Sequence, residues 1–168
     1  MTNAIPIRIA DAVASQLNTA AAASEFTLND WTARRSYPDW DDKFSDLSEH
    51  DLSIDVVFVP RVTPTLDDHA SLEYPIEIHI AARQRLRPAD RDADTGRYRN
   101  DAVDPLVTLL HEIHDYFAGR RGSDPLADAT DATWQESDIK VAVDYKKLRA
   151  GLFYGWLSLR FDVQKDLP

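Results

Sequence analysis

The alternation from Tyr74 to Arg83 constrains this chain more than any other feature. Tyr74, Ile76, Ile78 and Ile80 fall on one side of an extended backbone, and Glu77, His79, Ala81 and Arg83 on the other. Successive side chains of a strand point to opposite faces, so a period of two over this length predicts a strand with one face toward a core. Pro75 near its start marks an edge or a bulge. A second alternation sets Phe153, Leu157, Leu159, Phe161 and Val163 against Tyr154, Trp156, Ser158, Arg160 and Asp162, and predicts a long strand near the end of the sequence. Large residues stand on both of its faces. Such a strand is either covered twice within its own domain or packs against another chain.

The remaining elements follow from period and punctuation. Leu52, Ile54, Val56 and Phe58 alternate with Ser53, Asp55, Val57 and Val59, a strand ended by Pro60. Phe26, Thr27, Trp31, Thr32 and Tyr37 favour extended structure and predict a first strand closed by Pro38. Trp134, Ile139, Val141 and Val143 predict one more strand, with a turn over Tyr145 to Gly151. Ile9, Val13 and Leu17 recur at helical spacing, so a helix runs from Pro6 to about Ala22. Val103, Leu106, Val107, Leu110, Ile113 and Phe117 form a second helical stripe. Asn100 or Asp101 caps it, or Asp104 with Pro105 behind it, and Gly119 stops it beside Arg120 and Arg121. Residues 61–71 read as a hairpin arm or loop. The order is α-β-β-β-α-β-β. It predicts one α+β domain over residues 1–168, an antiparallel or mixed sheet of about five strands with two helices packed on one face.

Composition narrows the chemistry. The chain has no cysteine, which excludes disulfide frameworks, thiolate metal sites and cysteine nucleophiles. It needs no such staple, because 168 residues bury a real core. The opening Met1-Thr2-Asn3-Ala4-Ile5-Pro6 lacks the basic and apolar regions of a secretory signal, and no apolar run reaches membrane-spanning length, so a soluble protein is expected. A net charge of −10 disfavours binding to nucleic acid or to an anionic membrane.

Several constellations invite a catalytic or metal reading. His111-Glu112-Ile113-His114-Asp115 places two histidines and a carboxylate on a helix, but the histidines are three apart where a metalloprotease helix has them four apart. His111 shares a helix face with Asp115 or with His114, so a metal-dependent hydrolase drawing on His111, His114 and Asp115 still needs a third ligand beside either pair and an open coordination position, and a polar helix face is the simpler account. Asp90-Arg91-Asp92-Ala93-Asp94 alternates carboxylates as a calcium loop does. Its glycine comes one position late, at Gly96, its twelfth position is Asp101, and arginines interleave it. Gly119-Arg120-Arg121-Gly122 lacks the lysine and hydroxyl residue of a phosphate loop. No Gly-x-Ser-x-Gly elbow is present. The sequence thus points away from an enzyme and from any cofactor. Four tryptophans, Trp31, Trp40, Trp134 and Trp156, are divided between core burial and a subunit interface.

Taken together, certain stretches resemble a known family. They are the opening Ile-Ala-Asp-Ala-Val-Ala helix, the strand ending Ala33-Arg34-Arg35-Ser36-Tyr37-Pro38 and the strand ending Val57-Phe58-Val59-Pro60-Arg61. The period-two strand from Tyr74 to Ala81, the helix through Leu109-Leu110-His111-Glu112-Ile113, the turn at Tyr145 and the terminal Leu-Ser-Leu-Arg-Phe-Asp-Val strand complete the set. In element order and length the chain resembles the tail terminator and minor tail (tail completion) proteins of long-tailed bacteriophages. The resemblance implies a structural virion protein that forms a homohexameric ring, assembled in the host cytoplasm. One side of the ring would cap the tail tube protein and the other would meet a neck or head-completion protein, with DNA passing through the lumen without sequence-specific binding. It also implies docking arms that order on contact: Asp67, Asp68 and His69 in one, Arg85, Arg87, Asp90, Arg91, Asp92, Arg97 and Arg99 in the other, beside Tyr154 and Trp156 on a subunit face. Another neck component, such as a head-completion stopper or connector, shares these features. A host-directed binding module is a further alternative, which predicts a stable monomer.

Overall fold

The computed structural model describes residues 4–37, 47–48, 51–59, 65–66, 71–120, 126–135 and 141–166. Helix α1 spans Ile5–Ala22, strand β1 Thr32–Arg35, β2 Ser53–Phe58, β3 Thr65–Leu66 and β4 Ser71–Arg85. A 3₁₀ turn over Pro88–Asp90 leads to helix α2, Asn100–Ala118. Strand β5 (Ala132–Gln135), strand β6 (Ala142–Val143), a short helix α3 (Tyr145–Arg149) and strand β7 (Leu152–Asp166) complete the order. The sheet runs β1-β2-β4-β7-β5, with β3 on β4 and β6 on β7. It is mixed: β1 lies parallel to β2 and every other pairing is antiparallel. The α+β class and mixed sheet expected from the sequence are therefore present.

The two period-two stretches are the two central strands. They pair along their whole length, from Ser71 opposite Asp166 to Arg85 opposite Leu152. Register places Ile76, Ile78 and Ile80 opposite Phe161, Leu159 and Leu157 on one face. These side chains are fully buried against Ile9, Val13 and Leu17 of α1 and Leu109, Leu110, Ile113 and Phe117 of α2. Both long helices thus cover the same face, as their stripes demand. Gly155 lets α2 come this close: a Cβ there would stand 2.6 Å from Leu110 Cδ1 and 3.1 Å from the Phe153 ring.

Helix α1 also closes an edge. Asn18 accepts from the Ala33 amide at 2.7 Å and donates to the Ala33 carbonyl at 2.9 Å, using backbone groups that an edge strand leaves open. Arg35 adds a 2.6 Å ion pair to Asp11 that raises the arginine's pKa. At the helix end, Ser24 takes a left-handed conformation (φ 60°), so that Ser24 and Glu25 donate back to Ala21 and Ala20.

Four local expectations need correction. The first strand is only Thr32–Arg35. Phe26 and Trp31 are core plugs, with Phe26 packed on Trp31 and edge-on to Tyr116. The strand expected through Trp134 and Val143 is two separate strands, β5 and β6, and Ile139 lies outside the described residues. The turn at Tyr145 is a helix, because Asp144 accepts from the amides of Lys146 and Lys147. Helix α2 starts at Asn100 with no side-chain cap and carries Pro105 inside it, forfeiting one backbone bond near its start.

Candidate subunit interface

The face of the sheet away from the helices carries a smaller cluster. Ala81 and Tyr154 are buried there with Leu47, and Leu152 and Trp156 pack partly exposed against them. The register explains the grouping, since Ala81 stands opposite Trp156, Arg83 opposite Tyr154 and Arg85 opposite Leu152. Tyr154 and Trp156 overlap with ring centroids 5.3 Å apart, and the Lys147 ammonium sits 4.7 Å above the Tyr154 ring. Burial holds the Tyr154 hydroxyl protonated well above the usual range; Arg83 opposes that shift, and Asp55 and Asp144 add to it.

Beside this cluster lies a buried ion pair. Arg83 Nε donates to Asp55 Oδ2 at 2.5 Å, with the two side chains only 6% and 3% exposed. Ser53 Oγ lies 3.5 Å from the same oxygen, and Arg34 reaches Oδ1 at 3.4 Å. Sequence reading saw Asp55 and Arg83 as outward positions of two strands. The pairing of β2 with β4 sets them diagonally, Asp55 opposite Ala81 and Arg83 opposite Ser53, within bonding reach.

The Arg85–Asn100 segment is built, not loose. Asp90 is buried and receives two bonds from Arg87, at 3.0 and 3.1 Å, with Arg99 a further 3.6 Å contact. The Arg87 guanidinium holds the Asp90 carboxyl below its ordinary pKa. Asp92 Oδ1 caps the next turn, accepting from the amides of Thr95 and Asp94 and from the Thr95 hydroxyl; these bonds lower its pKa too. Arg91 and Tyr98 bridge as a one-rung ladder, the guanidinium 4.8 Å over the ring. Arg91 also donates to the Arg149 carbonyl at 2.9 Å, where a cation suits the end of α3. Gly151 turns the chain into β7 at φ 86°, and a Cβ there would meet the Tyr98 hydroxyl at 2.6 Å.

An arm that orders only on contact is therefore the wrong description of this segment. Its ties are internal, and two of the three carboxylates that suggested a calcium loop are committed to Arg87 and to the turn amides. Because the folded-state pKa values of Asp90 and Asp92 are lowered, their contribution is present above the ordinary carboxylate range and is lost as pH falls through the folded values. The protection of the amides of residues 90–99, taken relative to their intrinsic exchange rate at each pH, is expected to hold at pH 7 and to fall at acid pH below the ordinary carboxylate range, before the protection of β4 and β7 is lost. Protection of residues 90–99 that is lost only together with that of β4 and β7 would show that the carboxylates do not hold the loop.

The structure brings Arg85, Arg87, Asp90, Arg91, Asp92, Arg97 and Arg99 to the same end of the sheet as Tyr154 and Trp156. Asp67, Asp68 and His69 lie outside the described residues. Helix α3 joins this end and was missed in the sequence, although Asp144 before Tyr-Lys-Lys-Leu-Arg is a readable helix start. A hollow of about 410 Å³ lies between the loop and α3, lined by Gly96, Arg97, Tyr98, Tyr145, Leu148 and Arg149. Tyr145 is 70% exposed at its rim.

On α2, His114 is buried with its ring edge toward Trp134 and its Nδ1 3.0 Å from Asp115, whereas His111 is exposed. The two histidines do not share an environment. Among the described residues, no three His, Cys, Asp or Glu side chains gather around a common point, and no helix is long and apolar enough to cross a membrane. Comparison with protein-family models and with curated proteins finds no match.

Proposed function

We propose that this chain is a structural virion protein of the tail-terminator kind, forming a ring, hexameric on the family resemblance, that ends the tail tube and joins it to the neck. The observation that carries the proposal is the pair Leu152 and Trp156, partly exposed on the sheet face away from the helices and beside an arginine-rich loop. Ala81, Tyr154, Asp55 and Arg83 of that face are buried, with Leu47 packed on the first two, whereas Leu152 and Trp156 remain partly exposed. An apolar patch rimmed by charge on a small domain is the usual form of a surface completed by another chain. The element order and the small helix-backed sheet are in keeping with the resemblance noted in the sequence. A predominantly acidic chain also suits a lumen through which DNA slides, because it offers the phosphates little to bind.

The reading is tested by incubating the purified protein with polymerised tail tube protein and imaging by electron microscopy. Uniform rings seated on tube ends, and tubes that stop growing, are the expected result. Rings that bind the portal or head-completion side and ignore the tube would reassign the chain to another neck component. A protein that stays monomeric and touches neither would sink the proposal.

A further inference from the structure

The basic and acidic groups of this chain are segregated. Residues 83–99 and 144–151 hold nine arginines and lysines against four aspartates, with Asp55 and Asp101 also bonded to Arg83 and Arg99, while the whole chain has 19 basic and 29 acidic residues. Among the described residues, this end of the sheet therefore carries an excess of basic groups. Strand β4 shows the polarity within a single element. On its face away from the helices, Glu73 and Glu77 stand at one end and Arg83 and Arg85 at the other, Glu73 and Arg85 about 40 Å apart at ~3.3 Å per residue.

Internal pairing does not exhaust the basic end. Asp90 is used by Arg87 and Arg99, and Asp92 and Asp144 cap turns. Arg97, Lys146 and Arg149 are exposed, and among the described residues their charged groups have no carboxylate partner. Arg97 and Arg149 face the hollow that Tyr145 rims. Because the loop backbone is braced by its own bonds and α3 is a helix, the backbone that carries these cations is set before any partner arrives, which lowers the backbone entropy lost on docking.

We infer that this basic end docks on the acidic surface of a second copy of the chain, so that subunits join head to tail. Two copies meeting through the same patch would set arginine against arginine, so a two-fold contact here is opposed by charge. A contact between unlike surfaces generates a closed ring or an open filament. The inference rests on the ring reading above and adds the surface, the polarity and the force that bring subunits together. Pairing in this way removes the basic groups from free surface and leaves the assembled ring with acidic residues to present.

The test is sedimentation velocity on the full chain between 50 and 500 mM salt, with Arg97→Glu/Arg149→Glu and the milder Arg97→Gln/Arg149→Gln beside the unaltered protein. Association at low salt that weakens steeply as salt rises is expected. The reversed variant should associate at least about tenfold more weakly and the neutral variant should fall between, both melting as the parent does. Neither guanidinium supports the loop, so folding should survive; the neutral variant still reports if the reversed one fails to fold. If the variants associate as the parent does, the basic end is not the contact, while the ring reading stands. If the unaltered protein stays monomeric at 50 mM salt and also ignores the tube, both fail. Should it instead bind labelled duplex DNA, with that binding lost in the variants, the basic end is a phosphate site and the inference is overturned.

Discussion

Phe117→Ala is expected to lower the unfolding free energy by about 3–5 kcal/mol, the usual cost of emptying a large aromatic site. Phe117 is fully buried and stands at the junction of α2 with the sheet. Its ring lies 6.3 Å from Trp134, nearly parallel, and 6.3 Å from Phe161 at 85°. Tyr116 meets it edge-on at 5.4 Å. Removing the ring opens a void between rigid neighbours that cannot collapse without breaking the stack, so the penalty should sit near the top of the range. Urea unfolding followed by tryptophan fluorescence measures it directly, since Trp134 touches the site. A loss below about 1 kcal/mol would mean that the core repacks freely here, contrary to the close packing of native interiors.

Asp55→Ala should cost a similar amount, about 3–5 kcal/mol, for a different reason. It leaves the Arg83 guanidinium, only 6% exposed, without its closest carboxylate. The expense is the buried charge and not the lost bond, so replacing both partners by apolar residues should recover most of it. Asp55→Leu with Arg83→Met is therefore expected to lie within about 1–2 kcal/mol of the parent, far from the sum of the single changes. Chemical denaturation of the two single variants and the double variant closes the cycle. If the double variant is as unstable as the single one, the pair holds β2 and β4 by its specific hydrogen bonds and not by charge balance.

The regular parts of the fold were legible wherever one face is buried, because burial imposes a period. The alternation of Tyr74 to Arg83 and of Phe153 to Val163 predicted the two central strands, and the stripes through Val13 and Leu110 predicted the two long helices. The readings that failed turned on tertiary contacts. Phe26 and Trp31 favour strands by type, yet their place is the seam between α1, α2 and β1, where a ring in a loop fills space better than a strand would. The charged run from Arg85 to Asn100 looked solvated, because composition does not show that Arg87 and Arg99 fold back on Asp90. Tyr154 and Trp156 were found as candidate interface residues through their unusual size on an outward face. Helix α3, which carries Lys146 and Arg149, was not legible, because a turn is expected where Asp144 in fact starts a helix.

The pairing of β4 with β7 also has a consequence for the order of events in folding. The two central strands are separated in sequence by everything from Leu86 to Gly151, including all of α2. Closing so long a segment costs entropy before any rung of the ladder repays it. Until β7 arrives, β4 has only β2 and β3 beside it, and its other edge is an open template for any passing strand. A nascent or partly unfolded chain is thus most vulnerable to misassociation at the place where the finished molecule is most solid.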